Sequence, residues 1–162
     1  MIVVSDTSPL TNLAAIGQFE LLYRLFGEIL IAESVWSELN AFGKHWPGRD
    51  EVARASWIQR RSTSDKALVA ALQRDLQSGE AESIALAVEF DAELILLDEK
   101  DGRHAAQQLG LRVLGVIGIL IRAKSAGMIE RVQPYLDALR LKAGFYLSDT
   151  LYDQALVVVG EL

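Results

Sequence analysis

Four stretches of the chain carry acids whose type and position suggest chemistry: Asp6 in VVSDTSPL, Glu38 in SVWSEL, Glu80 and Glu82 in GEAESIALA, and Asp98 with Glu99 and Asp101 in LILLDEKDG. Asp6 and Asp98 each end an apolar run that reads as a buried strand. Aspartate is poor strand material and an unpaired buried carboxylate is costly, so each needs a structural partner or a chemical task. If several of these groups share one crevice, two unit charges about 5 Å apart repel by about 3 kcal/mol at an effective dielectric near 20. Cations or protons must then neutralise them. The chain has no cysteine and only two histidines, His45 and His104, so a metal site would be built from oxygen, which points to Mg²⁺ or Mn²⁺ rather than zinc.

Taken singly, each acid also has a structural reading. Asp6 can cap the helix that follows it, and Asp98 can open the turn DEKDG, where Asp and Gly are favoured. Glu82 fits N3 of a helix capped by Gly79, Glu80 complements a helix N-terminal dipole, and Glu38 is an ordinary flank residue. Their arrangement in the fold decides between the two readings.

The elements that must position them alternate between short apolar strands and helices. A strand over residues 2–5 turns into SPLTNLAAIG, with Ser8 as N-cap, Pro9 at the first helical position and Gly17 as the stop. QFELLYRLF is a second helix ending near Gly27, EILIA at 28–32 a second strand, and Ser34 caps SVWSELNAF. The segment at 43–49, GKHWPGR, is a loop. DEVARA reads as helical, and WIQRRS as a short strand or an irregular edge. KALVAALQRDL is a helix broken at Ser78 and Gly79, and EAESIALAVEF is another. AELILLD at 92–98 repeats the opening pattern, GRHAAQQLG is helical, and LRVLG is a further strand; helices over 116–126, 130–142 and 149–160 follow, with GFYLS as a short link before the last. This alternation predicts an α/β fold with a mainly parallel central sheet of about four to five strands flanked by α-helices. Ligands in such sheets bind beyond the C-terminal strand ends, at a topological switch point. Asp6 and Asp98 both fall at such ends, and adjacent strands would bring them together.

Length and composition set the bounds. With 162 residues, 51% of them hydrophobic, the expectation is a single domain over residues 1–162 with one substantial core. The longest strongly apolar stretch, VLGVIGILI, is far too short to span a bilayer, and the N-terminus has no basic region ahead of an apolar core. The expectation is a cytoplasmic protein without membrane association. A net charge of −6 argues against holding nucleic acid by a bulk positive field, while leaving room for a nuclease whose carboxylates are concentrated in a metal site.

In this order and spacing, VVSDTSPL, the Glu of SVWSEL, GEAESIALA and LILLDEKDGR resemble the PIN-domain ribonucleases, and within them a VapC-like toxin branch carrying GEAE and a D-[DE]-x-x-GR segment. The resemblance runs from the first strand to near the C-terminus. It implies a PIN-like fold and an acidic cluster binding Mg²⁺ or Mn²⁺, which maps onto Asp6, Glu38, Glu82 and Asp98 as metal ligands and catalytic residues. Glu80 competes with Glu82 for the third place; Glu82 is favoured because IALA follows it as the family's apolar helix follows its acid. Glu99 and Asp101 compete with Asp98 for the fourth or serve as further ligands. Thr7 and Ser8 would orient Asp6 or a bound water from outside the ligand set. The implied activity is metal-dependent hydrolysis of RNA, with a metal-activated water attacking the phosphodiester, in the toxin component of a toxin–antitoxin system with a cognate antitoxin.

Lys100 and Arg103, with His104 behind them, are placed to meet phosphates, or else are solvated residues opening a helix. Trp46 either stacks on an unpaired base or plugs a packing gap. The apolar faces of LYDQALVVVG and VLGVIGILI serve the core or a homodimer or antitoxin interface. Other readings fit less well. A haloacid-dehalogenase-type phosphohydrolase uses D-x-D, and this chain has Ser8 at the second position; a receiver-like domain pairs its acids at the first strand, where Asp6 follows Ser5 alone. A non-catalytic PIN-like scaffold for RNA or protein would not need all four acids.

Overall fold

The computed structural model describes residues 1–41 and 43–162. Among them are five strands, β1 (Val3–Ser5), β2 (Ile29–Ala32), β3 (Ile58–Arg61), β4 (Leu94–Leu96) and β5 (Val113–Leu114). The helices are α1 (Thr7–Ala15), α2 (Leu21–Phe26), α3 (Glu33–Leu39), α4 (Arg49–Arg54), α5 (Lys66–Leu72), α6 (Ser78–Glu89), α7 (Lys100–Gln108), α8 (Val116–Ser125), α9 (Gln133–Lys142) and α10 (Asp149–Val158).

All strand pairs are parallel, in the order β3-β2-β1-β4-β5. Every residue of β1 and of β4 is buried, as expected where helices cover both faces of a parallel sheet. The chain builds outward from β1 through β2 to β3, then returns to the other side of β1 to lay down β4 and β5. The order therefore reverses between β1 and β4, which are paired Val3 to Leu94, Val4 to Ile95 and Ser5 to Leu96. One hydrophobic cluster joins Val3, Val4, Ile29, Ile31 and Leu94–Leu97 of the sheet to Leu10, Leu13, Ile84, Ile119, Leu136 and Leu139 of the helices.

WIQRRS resolves as edge strand β3. Gln59, Arg60 and Arg61 give it a polar, charged character that discourages pairing with another chain, and the Arg60 guanidinium lies 4.3 Å from the Trp36 ring centroid. Three helix caps differ from the sequence expectation. Helix α3 begins at Glu33 with Ala32 as its N-cap, so Ser34 lies inside its first turn instead of capping it. The N-cap of α1 is Asp6, not Ser8, so Pro9 sits inside the first turn, where its missing N–H costs nothing. Helix α6 begins at Ser78 with Gln77 as its N-cap; Ser78 and Gly79 open that helix instead of breaking the chain. The helix expected to end at Phe42 ends at Leu39, and Phe42 lies outside the described residues. Among the described residues, no helix is long and apolar enough to cross a membrane.

Candidate active site

Asp6 stands where β1 ends beside β4. Its backbone N–H donates to the Leu96 carbonyl at 2.9 Å, which extends the ladder by one residue and fixes where its side chain leaves the sheet. It holds the N-cap position of α1, yet its carboxylate makes no capping hydrogen bond. The side chain is turned instead into a crevice, and the residue is 4% exposed. Burial, then the charges of Glu38, Glu80 and Asp98, push its pKa from 3.8 up to about 7, only partly offset by the Thr7 amide. A helix cap would hold its carboxylate below the usual range. The shift runs the other way.

Three further elements bring the remaining acids. Helix α3 carries Glu38, half-buried, whose Oε2 accepts the Thr7 hydroxyl at 2.5 Å. The first turn of α6 carries Glu80, whose Oε2 is sealed from solvent without a hydrogen-bond partner; burial first, then Glu99, raises its pKa. Asp98 follows β4 and does two jobs. Its Oδ1 accepts the Val116 N–H at 2.8 Å, satisfying a free donor at the start of α8. Its Oδ2 is sealed and makes no hydrogen bond. Burial raises the Asp98 pKa against the opposing pull of the Val116 amide, Ser8, Arg103 and Asn12.

Three glycines shape the crevice. A Cβ added at Gly102 would stand 2.6 Å from Glu80 Oε2, one at Gly115 would stand 2.8 Å from Asp98 Oδ1, and one at Gly79 would run into the Glu38 carboxylate. None of the three has a left-handed backbone, so conformation does not demand glycine there. The close approach of a carboxylate does. Each acid from the second, third and fourth motifs thus lies against a glycine from another part of the chain.

Of the two competing glutamates, Glu80 lines the crevice and Glu82 does not. Because α6 starts at Ser78, Glu80 falls in its first turn and lines the crevice. Glu82, two residues on, is turned about 200° around the helix axis, and it is absent from the charges acting on Asp6. Of the other candidates, Glu99 lines the same crevice, with Thr7 and Ser8. Asp101, Lys100, Arg103 and His104 line an adjoining cavity that contains Asp98. Asn12 was not anticipated. It is 9% exposed, and its Nδ2 donates to Ser8 Oγ at 3.1 Å, which steadies the side of Asp98. Its position four residues after Ser8, on the same helix face, was its only signal. Of the glycines, Gly79 and Gly102 carried none beyond adjacency to acids, and Gly115 carried none at all.

The donor set suits a hard divalent cation. It is all oxygen, and it includes two buried carboxylate oxygens, on Glu80 and Asp98, that nothing in the protein satisfies. Among the described residues, no three His, Asp or Glu side chains close into one coordination sphere. Asp6, Glu38, Glu80 and Glu99 line a crevice of about 620 Å³ and Asp98 lines a second cavity, a layout compatible with an ion that keeps several waters and is held by one or two carboxylates.

Residues 2–161 match the DUF3368 family, a PIN domain. No curated protein matches the chain significantly. Among solved structures, the fold is similar to a PilT N-terminus domain protein from the hyperthermophilic archaeon Sulfolobus solfataricus P2, at 21% identity and a TM-score of 0.57, over 81% of this chain and 96% of that one. PIN domains are in general nucleases and typically use divalent metals. With the family matched over nearly its whole length and the parallel sheet in place, the chain belongs to the DUF3368 family of PIN domains.

Proposed function

We propose that the chain is an Mg²⁺- or Mn²⁺-dependent endoribonuclease that leaves 5′-phosphate and 3′-hydroxyl ends. The observation that carries this reading is the pair of sealed, unsatisfied carboxylate oxygens, Glu80 Oε2 and Asp98 Oδ2, beside Asp6 at the switch point of the sheet. Asp6, Glu80 and Asp98 would hold the cation, one or two of them directly and the rest through its waters, with Glu38 and Glu99 at the crevice wall. When bound, the cation supplies positive charge to offset the carboxylates and Lewis acidity toward a phosphate oxygen and water.

The protein's own groups do the rest. Thr7 fixes the Glu38 carboxylate, which lines the crevice and can accept a proton from an attacking water at its Oε1. The Val116 N–H holds Asp98 by its Oδ1, which leaves Oδ2 without a hydrogen bond in the protein. Arg103 and Lys100 flank Asp98 in the adjoining cavity and are placed to receive phosphates on one side of the scissile bond, which would set strand register without reading sequence. The resemblance to VapC-like toxins extends the proposal to a toxin role under a cognate antitoxin. Arrest of growth on expression, absent in an Asp98→Asn variant, is the outcome expected of a toxin.

The direct test incubates structured and unstructured RNA with the protein in Mg²⁺, Mn²⁺ or EDTA and analyses the ends. Cleavage with a divalent ion, none in EDTA, and 5′-phosphate products are expected. Cyclic-phosphate ends or undiminished cleavage in EDTA would overturn the mechanism.

A further inference from the structure

Opposite the acids, the wall of the crevice is built by a loop that the nuclease reading does not use. Lys44 and Trp46 line the same cavity as Asp6, Glu38, Glu80 and Glu99. Trp46 is 41% exposed and stands outside the hydrophobic cluster, so it is not a packing plug. The two other tryptophans are engaged elsewhere. Trp57 packs on Phe19 and Tyr23, and Trp36 lies under Arg60.

The loop is anchored at several points. The Arg49 guanidinium donates to the Lys44 carbonyl at 3.3 Å, and His45 meets Asp50 at 2.8 Å. Gly48, at φ +92°, packs so closely on α1 that an added Cβ would lie 3.3 Å from the Leu10 carbonyl. A large aromatic surface is thus presented at a fixed place and left partly bare, where a hydrophobic residue would otherwise gain by burial.

The Lys44 ammonium sits 4.9 Å from the Trp46 ring centroid. It makes no salt bridge among the described residues, although it shares a cavity with four carboxylates. An aromatic face and a cation side by side match a nucleotide, with the ring for its base and the ammonium for its phosphate. The cavity, at about 620 Å³, is much larger than a hydrated ion requires, since one water occupies about 30 Å³.

We infer that Trp46 and Lys44 form a base-binding subsite, in which Trp46 stacks on one unpaired nucleobase beside the scissile phosphate and Lys44 contacts that nucleotide's phosphate. This rests on the reading of the crevice as a ribonuclease site and specifies its substrate as single-stranded there. A base held in a duplex is already stacked on its neighbours and cannot offer its face to Trp46 without unpairing. The basic groups beside Asp98 lie in the adjoining cavity, so the strand would cross the acids between a phosphate-holding side and a base-holding side.

The test uses an RNA octamer of mixed sequence, alone or annealed to its complement, in Mg²⁺, with the Asp98→Asn protein so that the probe survives. Tryptophan emission reports stacking and a titration reports affinity. The single strand should quench emission and bind more tightly than the duplex. Adding Trp46→Ala should abolish the quenching and weaken binding about 5- to 150-fold, the range expected for one lost base stack, with Trp46→Phe restoring most of the affinity. The melting temperature of Trp46→Ala should stay close to that of its parent, since the ring is outside the core. Equal affinity with and without Trp46, quenching that survives Trp46→Ala, or equal binding of duplex and single strand would overturn the subsite. The cleavage assay keeps the two readings apart. A wild-type protein that cleaves RNA with Trp46 irrelevant refutes the subsite alone, and one that stacks RNA through Trp46 yet cleaves nothing supports the subsite and refutes the nuclease.

Discussion

The molecule buries carboxylates in two places and treats them in opposite ways. At the C-terminal corner, the Glu161 side chain is 5% exposed and fully provided for. It accepts the Val132 N–H at 2.6 Å, the Gln133 N–H at 3.0 Å and the Lys124 ammonium at 3.0 Å, with Arg131 at 3.8 Å. Burial alone would raise its pKa, but the two amides and Lys124 outweigh that and lower it. At the end of β1 and β4, by contrast, Asp6, Glu80 and Asp98 are all raised, and two of their oxygens find no partner. Glu161 satisfies free donors at the start of α9 and ties the chain end to the fold. The crevice gathers like charges with no salt bridge to them among the described residues, an arrangement that costs stability in the metal-free chain and is retained where binding or catalysis uses it. Burial of an acid is therefore no sign of function by itself. What distinguishes the two sites is whether the protein supplies the partners.

The largest expected effects separate the two regions by readout. Asp6→Asn or Asp98→Asn should lower RNA cleavage by more than about 100-fold, beyond the range usual for groups that only support a ligand. Glu161→Gln should leave cleavage per folded molecule within a few-fold and lower stability by about 2–4 kcal/mol, as expected when a buried, charge-assisted clasp is broken. Denaturant unfolding together with single-time-point cleavage would show both. A Glu161 variant that is stable but inactive would erase the distinction.

Next come the glycines. Gly102→Ala should push the flexible end of Glu80 out of place and reduce cleavage about 10- to 100-fold, while moving the melting temperature by only a few degrees, because the atom that must yield is the tip of a side chain. Wild-type activity in Gly102→Ala would show that Glu80 tolerates displacement and has no exact position to keep.

The pH dependence should differ in sign. In the absence of divalent ions, folded Asp6 keeps its proton to about pH 7, whereas the unfolded group loses it near 3.8. The folded state therefore binds more protons across that window, and its stability falls as pH rises through it. Asp6→Asn should remove this slope and, in EDTA at neutral pH, melt above wild type by an amount worth about 1–3 kcal/mol. Mg²⁺ should then stabilise wild type more than the variant. Glu161, with a lowered folded pKa, contributes stability that is present above its unfolded value of about 4.5 and lost as pH falls through the folded one. Melting curves at several pH values for the wild type, Asp6→Asn and Glu161→Gln would reveal the opposed slopes. Equal Mg²⁺ shifts in wild type and Asp6→Asn, with no gain in EDTA, would leave Asp6 without a metal role.

The smallest effect is expected from the nearest rival. Glu82→Gln should change cleavage less than about 3-fold, and Glu80→Gln much more. The reverse order would return the third place to Glu82.

What the sequence determined by itself was whatever local pattern encodes: strands ending in Asp6 and Asp98, the helices between them, a parallel sheet, and a set of candidate ligands limited to oxygen and two histidines in a chain without cysteine. Apolar runs, caps and turns act over a few residues, so they can be read in place. Even there, α6 starts two residues earlier than the local pattern suggests, because Ser78 and Gly79 look like a break, and the apolar run IALA favours Glu82 where it is Glu80 that lines the crevice. A helix position is an angle, and an offset of two residues is more than half a turn. The tertiary structure alone decided the rest. Sheet order put β4 beside β1, glycines distant in sequence made room for acids they never adjoin along the chain, Asp6 was left uncapped while Glu161 was surrounded, and a loop with Lys44 and Trp46 was folded over the acids. Each is a contact between segments far apart in the chain, where side-chain partners are chosen by packing and no local rule records the choice.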